Sequence, residues 1–234
     1  MLIAEVYESL QGEGRLAGTP SVFLRTSGCN LRCQWCDTPF TSWKPTGDQR
    51  TIDALCTEVT GFGLQHVVVT GGEPLVAAGI GELCNRLRRA GQHVTIETAG
   101  TVLPPAGPPA ADLMSLSPKL ASSTPVSATG DWPRRHEAAR RSDETLTALM
   151  ASSPFQLKFV INTPIDLDEA VAWLADLGIP SGSPAGRHVY LMPQGTDPAT
   201  LHATEAWLGP ACNQLGFQLC RRHHIDWFGN RRGS

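Results

Sequence analysis

Six short apolar runs alternate along the chain with segments whose apolar residues recur at helical spacing. The β-branched and aromatic "SVFLRT", Ser21 to Thr26, reads as a buried strand. "HVVVTGGEP" follows, with His66 to Val69 extended and two glycines at the exit. "HVTIETAG", "ADLMSLSPK", "FQLKFVIN" and "RHVYLMPQG" supply four further strands. Between the strands, Thr51 is placed to cap a helix reaching about Gly61. Ile80, Leu83, Cys84 and Leu87 share a helical face that stops at Gly91, and Asp166 to Leu177 carries Leu167, Val171 and Leu174 on one side.

A β-then-α order of this kind implies a parallel sheet with right-handed helical crossovers. Eight such units need about 250 residues. With six strands in 234 residues the expected fold is therefore α/β, a partial (β/α)6-type barrel with parallel strands and short insertions; an open doubly wound sheet is the alternative. The Pro-rich "TVLPPAGPPAAD" and the Ser/Thr/Arg-rich stretch Ala121 to Asp143 break the alternation. Neither is long enough to fold alone, so both read as surface insertions in one domain over residues 1–234.

Composition narrows the function class. The chain is 41% apolar with a formal net charge of -3, so it is globular, and it lacks the broad basic surface that a phosphate backbone requires. A small-molecule partner is expected, with no nucleic acid and no membrane. "MLIAEVYESLQGEG" has neither a basic region nor a long apolar core, and no later window approaches a spanning run, which points to a soluble cytoplasmic protein. Seven cysteines, three of them crowded together, fit a secreted disulfide framework poorly. Cys56, Cys84, Cys212 and Cys220 stand alone and read as small buried apolar residues.

The crowded three are Cys29, Cys33 and Cys36 in "GCNLRCQWCDT", directly after the first strand. Three thiolates can ligate three corners of a 4Fe-4S cubane and leave one iron without a protein ligand. The rival is zinc, which needs a fourth protein ligand or a water, and neither His66 nor the distant His223 and His224 is placed by sequence to complete it.

The spacing Cys29-x3-Cys33-x2-Cys36, with Trp35 before the last cysteine, resembles the signature of the radical S-adenosylmethionine (SAM) superfamily, and "TGGEP", Thr70 to Pro74, resembles that superfamily's second motif. The resemblance implies that the expected barrel is a radical SAM barrel. The open iron would hold SAM by its amino and carboxylate groups, and an electron would cleave it to a 5'-deoxyadenosyl radical. Glu73 and nearby backbone carbonyls would receive the SAM ammonium, Gly72 and the backbone of Trp35, Cys36 and Asp37 would contact SAM, and Ser117, Pro118 and Lys119 of "SPK" would bind it too.

The opening "EVYESLQGEGRLAGTPSVFLRTSGCNLRCQWCDT" resembles the start of the 7-carboxy-7-deazaguanine synthase family of queuosine and deazapurine biosynthesis. Matches continue through "TGGEP", "ETAG", "SPK", "KFV" and "PQ". That resemblance implies a lyase that removes hydrogen from C6 of 6-carboxy-5,6,7,8-tetrahydropterin, contracts the ring, expels ammonia and regenerates SAM. Leu10, Gln11, Gly12 and Glu13 would line the pterin pocket, Arg25 would pair with the substrate carboxylate, Thr70 would touch substrate, and Thr38 would contact Mg2+.

No general base stands out, and hydrogen abstraction by a carbon radical needs positioning more than proton transfer. "ETAG" departs from the family's ETNG at Ala99, Gln194 reads either as a pterin contact or as the end of a strand, and the His223/His224 pair on an expected terminal strand is given no role. An electron donor such as flavodoxin or ferredoxin and a homodimer are implied as well. Two readings compete: a glycyl-radical-enzyme activase, against which "SLQGEG" speaks, and a metal-binding interaction module with structural cysteines.

Overall fold

The computed structural model describes residues 1–127 and 130–233. Residues 128 and 129, within the Ala121 to Asp143 stretch, and residue 234 lie outside the described residues. The elements in order are β1 (Leu2–Leu10), β2 (Pro20–Thr26), α1 (Pro39–Ser42), β3 (Asp48–Gln49), α2 (Ile52–Gly61), β4 (His66–Gly71), α3 (Ile80–Arg89), β5 (His93–Thr98) and β6 (Leu113–Leu116). After these come α4 (Trp132–Ala139), α5 (Asp143–Ser152), β7 (Phe155–Ile161), α6 (Pro164–Asp176), β8 (Val189–Pro193), α7 (Pro198–Leu215), β9 (Gln218–Leu219) and α8 (His223–Phe228).

The strands form one open sheet in the order β3-β1-β2-β4-β5-β6-β7-β8-β9. From β2 to β9 every neighbour is parallel and the order follows the chain, so no strand-order reversal of the doubly wound kind occurs. The six expected strands are β2, β4, β5, β6, β7 and β8. The parallel α/β sheet is borne out, and it is open. Missing from the sequence reading are the antiparallel strand β1, which pairs with β2 and β3, and the two-residue edge strands β3 and β9.

Side chains alternate along β7 as a two-residue period demands. Leu157, Phe159 and Ile161 face the helices, Phe159 meeting the fully buried Trp173 of α6 edge-on at 5.7 Å, while Gln156, Lys158 and Val160 face the other way. The helical side of the sheet is the apolar core, filled by Leu55 and Val59 of α2, Leu83 and Leu87 of α3, Leu146 and Leu149 of α5 and Leu174 of α6. Polar strand residues are thereby gathered on the opposite, concave side.

Local capping matches the sequence. The Thr51 side chain accepts from Ala54 N at 3.2 Å at the start of α2. Helix α6 begins earlier than expected, because Thr163 and Asp166 form a reciprocal capping box with Pro164 at the first turn. Two expectations need correction. The Ala121 to Asp143 stretch is not a plain surface insertion, since it carries α4, whose His136 is fully buried against the cysteine loop. The His223/His224 pair begins helix α8, not a terminal strand.

Candidate functional site

A cavity of about 440 Å³ opens at the C-terminal ends of the parallel strands. Arg25 at the end of β2, Thr70 on β4, Glu97 on β5, Ser115 on β6, Lys158 on β7 and Met192 on β8 all contribute to its wall.

One side is the cysteine loop between β2 and α1. Gly28 N donates to Thr41 O at 2.8 Å and Gly28 O accepts from Glu73 N at 2.9 Å, which ties the loop to the exit of β4. Gly72 is required by this approach: a Cβ there would lie 2.4 Å from Gly28 O and 2.8 Å from Cys29 Cβ. Behind the loop, Arg32 N donates to His136 Nδ1 at 3.1 Å, His136 Nε2 meets Ser123 Oγ at 2.9 Å, and the Trp35 indole donates to Ser122 O at 3.2 Å.

Cys29, Cys33 and Cys36 all reach the cavity as free thiols. Burial pushes Cys29 up to about 11 and Cys33 up to about 12, so they ionise only when a cation joins them. Among the described residues no three His, Cys, Asp or Glu side chains gather around a point that could hold a single metal ion. Three thiols bordering one cavity fit the three protein ligands of a 4Fe-4S cluster with one open iron.

Beside the loop, the Thr38 hydroxyl makes no cap bond to α1, and among the described residues its hydrogen-bond contact is Cys36 Sγ at 3.8 Å. Lys119 Nζ donates to Ser117 Oγ at 2.8 Å, and both residues face the cavity with Trp35, Asp37 and Gly72. Pro118 is not part of the wall.

Glu73 is turned inward. It is fully buried, and its carboxylate accepts from Leu75 N at 3.0 Å, Thr98 Oγ1 at 2.7 Å and Ala99 N at 2.8 Å. Glu73 thereby ties the strand ends together beside the cavity. Burial raises its pKa and those hydrogen bonds lower it, leaving it above the ordinary value. The contact at Ala99 comes from the backbone, so the departure from ETNG does not disturb it. Gln194 continues the strand end, its N–H donating to Ile161 O at 2.9 Å, and it is not part of the wall.

The opposite side is built by Leu10 to Glu13. Gln11 Nε2 donates to Glu97 Oε1 at 3.1 Å, and Gln11 Oε1 accepts from Glu13 N at 3.1 Å. Glu13 pairs with Lys158, with Arg222 Nε at 3.2 Å and, more distantly, with His224 Nδ1 at 3.9 Å. Burial works against a charged Glu13, but Lys158, Arg222 and His224 outweigh it and hold the carboxyl well below the usual range. Burial likewise works against Lys158, and the charges of Glu13 and Glu97 outweigh it, so Lys158 stays a cation. Gly12 has a steric reason of its own, since a Cβ would lie 2.4 Å from His224 Nδ1.

At the third side Arg25 Nε donates to Glu5 Oε1 at 2.7 Å and Nη2 to Tyr7 Oη at 2.9 Å, with Tyr7 stacked on Phe23. Sequence reading missed Glu5, Tyr7, Glu97, Lys158, Arg222 and His224. A lysine inside the apolar run "FQLKFVIN" was the one available sign, because a charge on a central strand must face either a partner or a ligand.

The family model of the radical SAM superfamily matches residues 23–118. Over the whole chain, the sequence is 50% identical across 238 aligned positions to the 7-carboxy-7-deazaguanine synthase of Rhodopirellula baltica, covering 100% of this chain and 89% of that one. It is 44% identical to the 7-carboxy-7-deazaguanine synthase of Halobacterium salinarum, covering 95% and 88% of the two chains. Among solved structures, QueE from Escherichia coli superposes with a TM-score of 0.67 at 24% identity, covering 95% of this chain and 94% of that chain, which shows a shared fold.

Proposed function

Because the chain belongs to the 7-carboxy-7-deazaguanine synthase family, within the radical SAM superfamily, we infer that it converts 6-carboxy-5,6,7,8-tetrahydropterin to 7-carboxy-7-deazaguanine and ammonia. Substrate and products differ by no net oxidation, so SAM acts as a cofactor that is regenerated. When bound, the 4Fe-4S cluster and SAM supply the carbon radical that takes hydrogen from C6 of the pterin.

Cys29, Cys33 and Cys36 are the residues to hold the cluster, and Gly72, the Trp35 to Asp37 backbone, Ser117 and Lys119 those to hold SAM. Leu10 to Glu13 and Thr70 are proposed to hold the pterin, with Arg25 taking its carboxylate by a planar, two-donor face. Thr38 is proposed as a Mg2+ ligand, its hydroxyl being a hard donor uncommitted to the helix it precedes. The walls keep the pterin in one orientation and away from water, which is what radical abstraction and rearrangement require of a protein. Cytoplasmic placement, a homodimer and a flavodoxin or ferredoxin as electron donor complete the proposal.

The observation that carries this reading is that the three-cysteine loop and the Leu10 to Glu13 segment line one cavity. Anaerobically reconstituted protein, given SAM, reductant and 6-carboxytetrahydropterin, should release 7-carboxy-7-deazaguanine with SAM largely unconsumed. A glycyl radical raised on a protein partner, with no deazaguanine formed, would favour an activase instead.

A further inference from the structure

Residues Asn230 to Gly233 also line the cavity. From there Arg232 reaches back to β1. Its Nε donates to Glu5 Oε2 at 2.7 Å, its Nη2 to Ala4 O at 3.2 Å, and the guanidinium lies over the Phe40 ring, 4.1 Å from the centroid. Glu5 therefore stands between two arginines, giving Oε1 to Arg25 and Oε2 to Arg232. The Arg25 side chain is 15% exposed, whereas that of Arg232 is 55% exposed.

The charges at this pole explain why the second arginine matters. Arg25 faces Glu5 directly, and Glu97 is close enough to act electrostatically on Tyr7, the other partner of Arg25. Tyr7 itself stays protonated, because burial raises it and Arg25 only partly offsets that. Glu97 also acts on the cation Lys158, so Glu5 is the carboxylate that stands directly against Arg25, and an incoming carboxylate would compete with it for the guanidinium. Arg232 gives Glu5 a second cation, on Oε2.

We propose that Arg232 is a specificity-determining residue for the carboxylate of the ligand, acting by neutralising Glu5 so that Arg25 is available to an anionic group. This rests on the reading that a carboxylated pterin occupies the cavity, and it assigns a task to a tail that the sequence motifs leave untouched.

The test is equilibrium binding to the anaerobically reconstituted holoenzyme. The oxidised, unreactive 6-carboxypterin is followed by its fluorescence, with pterin lacking the carboxylate as control. Arg232→Gln should weaken 6-carboxypterin binding roughly two- to fivefold, the scale of an exposed ion pair, and leave pterin binding as it was. Arg232→Lys, which keeps the charge, should bind like the parent. In a Glu5→Gln background, replacing Arg232 by Gln should change nothing. Equal loss for both ligands, no loss for either, or an undiminished effect in the Glu5→Gln background would each overturn the proposal. A parent protein that fails to bind 6-carboxypterin would instead sink the substrate reading, and the inference with it.

Discussion

Glu13 shows how a single buried carboxylate organises its surroundings, because two cations, Lys158 and Arg222, depend on it. Removing one member of a buried ion group leaves the others without compensation, at about 3–5 kcal/mol. Glu13→Gln should therefore lower the unfolding free energy read from urea titrations at neutral pH by an amount of that order. The acid limb carries the same information. A carboxyl held below its ordinary value of 4.5 stabilises the native state above that pH and loses the contribution as pH falls toward its native value. Between these limits the parent should lose stability and Glu13→Gln should show a shallower slope, read from urea midpoints in a pH series. Thr38 offers the contrasting case of a side chain with little structural work. Its hydroxyl makes no cap bond, so Thr38→Ala should leave iron and sulfide content intact and weaken the response of turnover to added magnesium several-fold. An unaltered magnesium titration would remove Thr38 from the metal site.

At the scale of elements, β2, β4, β5, β6, β7 and β8 were legible because central parallel strands are continuous apolar runs, and α2, α3 and α6 because each buries one face. Strand β1 was not legible, since it is an antiparallel strand whose Glu5 and Tyr7 face the cavity and whose Glu8 is exposed, leaving no clean alternation. Strands β3 and β9 have two residues each and so no period to detect. Helix α4, "WPRRHEAA", looked like solvated polar chain because its buried contact is a histidine and not an apolar stripe. That contact has a measurable consequence. His136 accepts from the backbone of Arg32, between two of the cysteines, and also meets Ser123. His136→Ala strands a donor beside the cysteine loop at a cost of about 1–3 kcal/mol. Far-UV circular dichroism should be unchanged, while iron and sulfide per chain after reconstitution should fall. Full cluster content in this variant would mean that α4 does not hold the loop.

Across the whole molecule, the half of the site that the sequence revealed is the half built from contiguous motifs, while the other half is joined over long separations. Lys158 meets Glu13 from 145 residues away and Arg222 meets it from 209, distances at which spacing carries no signal. Residues 12–14 and 220–223 close on each other beside the cavity: His223 N donates to Gly12 O at 3.0 Å and Gly14 N to Cys220 Sγ at 3.2 Å. Arg222, almost wholly buried, is the centre of this closure, bonding Gly195 O at 2.6 Å, Asp37 Oδ2 at 2.6 Å and Glu13. It thus joins the β8 exit, the cysteine loop and the Leu10 to Glu13 wall. Arg222→Ala should leave Glu13 and Asp37 without their shared cation and detach all three regions together. Hydrogen exchange provides the discriminating measurement, because local opening and global unfolding have different footprints. Amides of residues 10–14 and 220–224 should exchange at least tenfold faster in Arg222→Ala, a change of about 1.4 kcal/mol in the opening equilibrium, while the β4 to β7 amides keep the parent's protection. Arg222→Lys, which retains charge but cannot reach all three acceptors, should fall between. Faster exchange spread evenly over the sheet would instead make Arg222 a contributor to global stability, with no particular hold on the site.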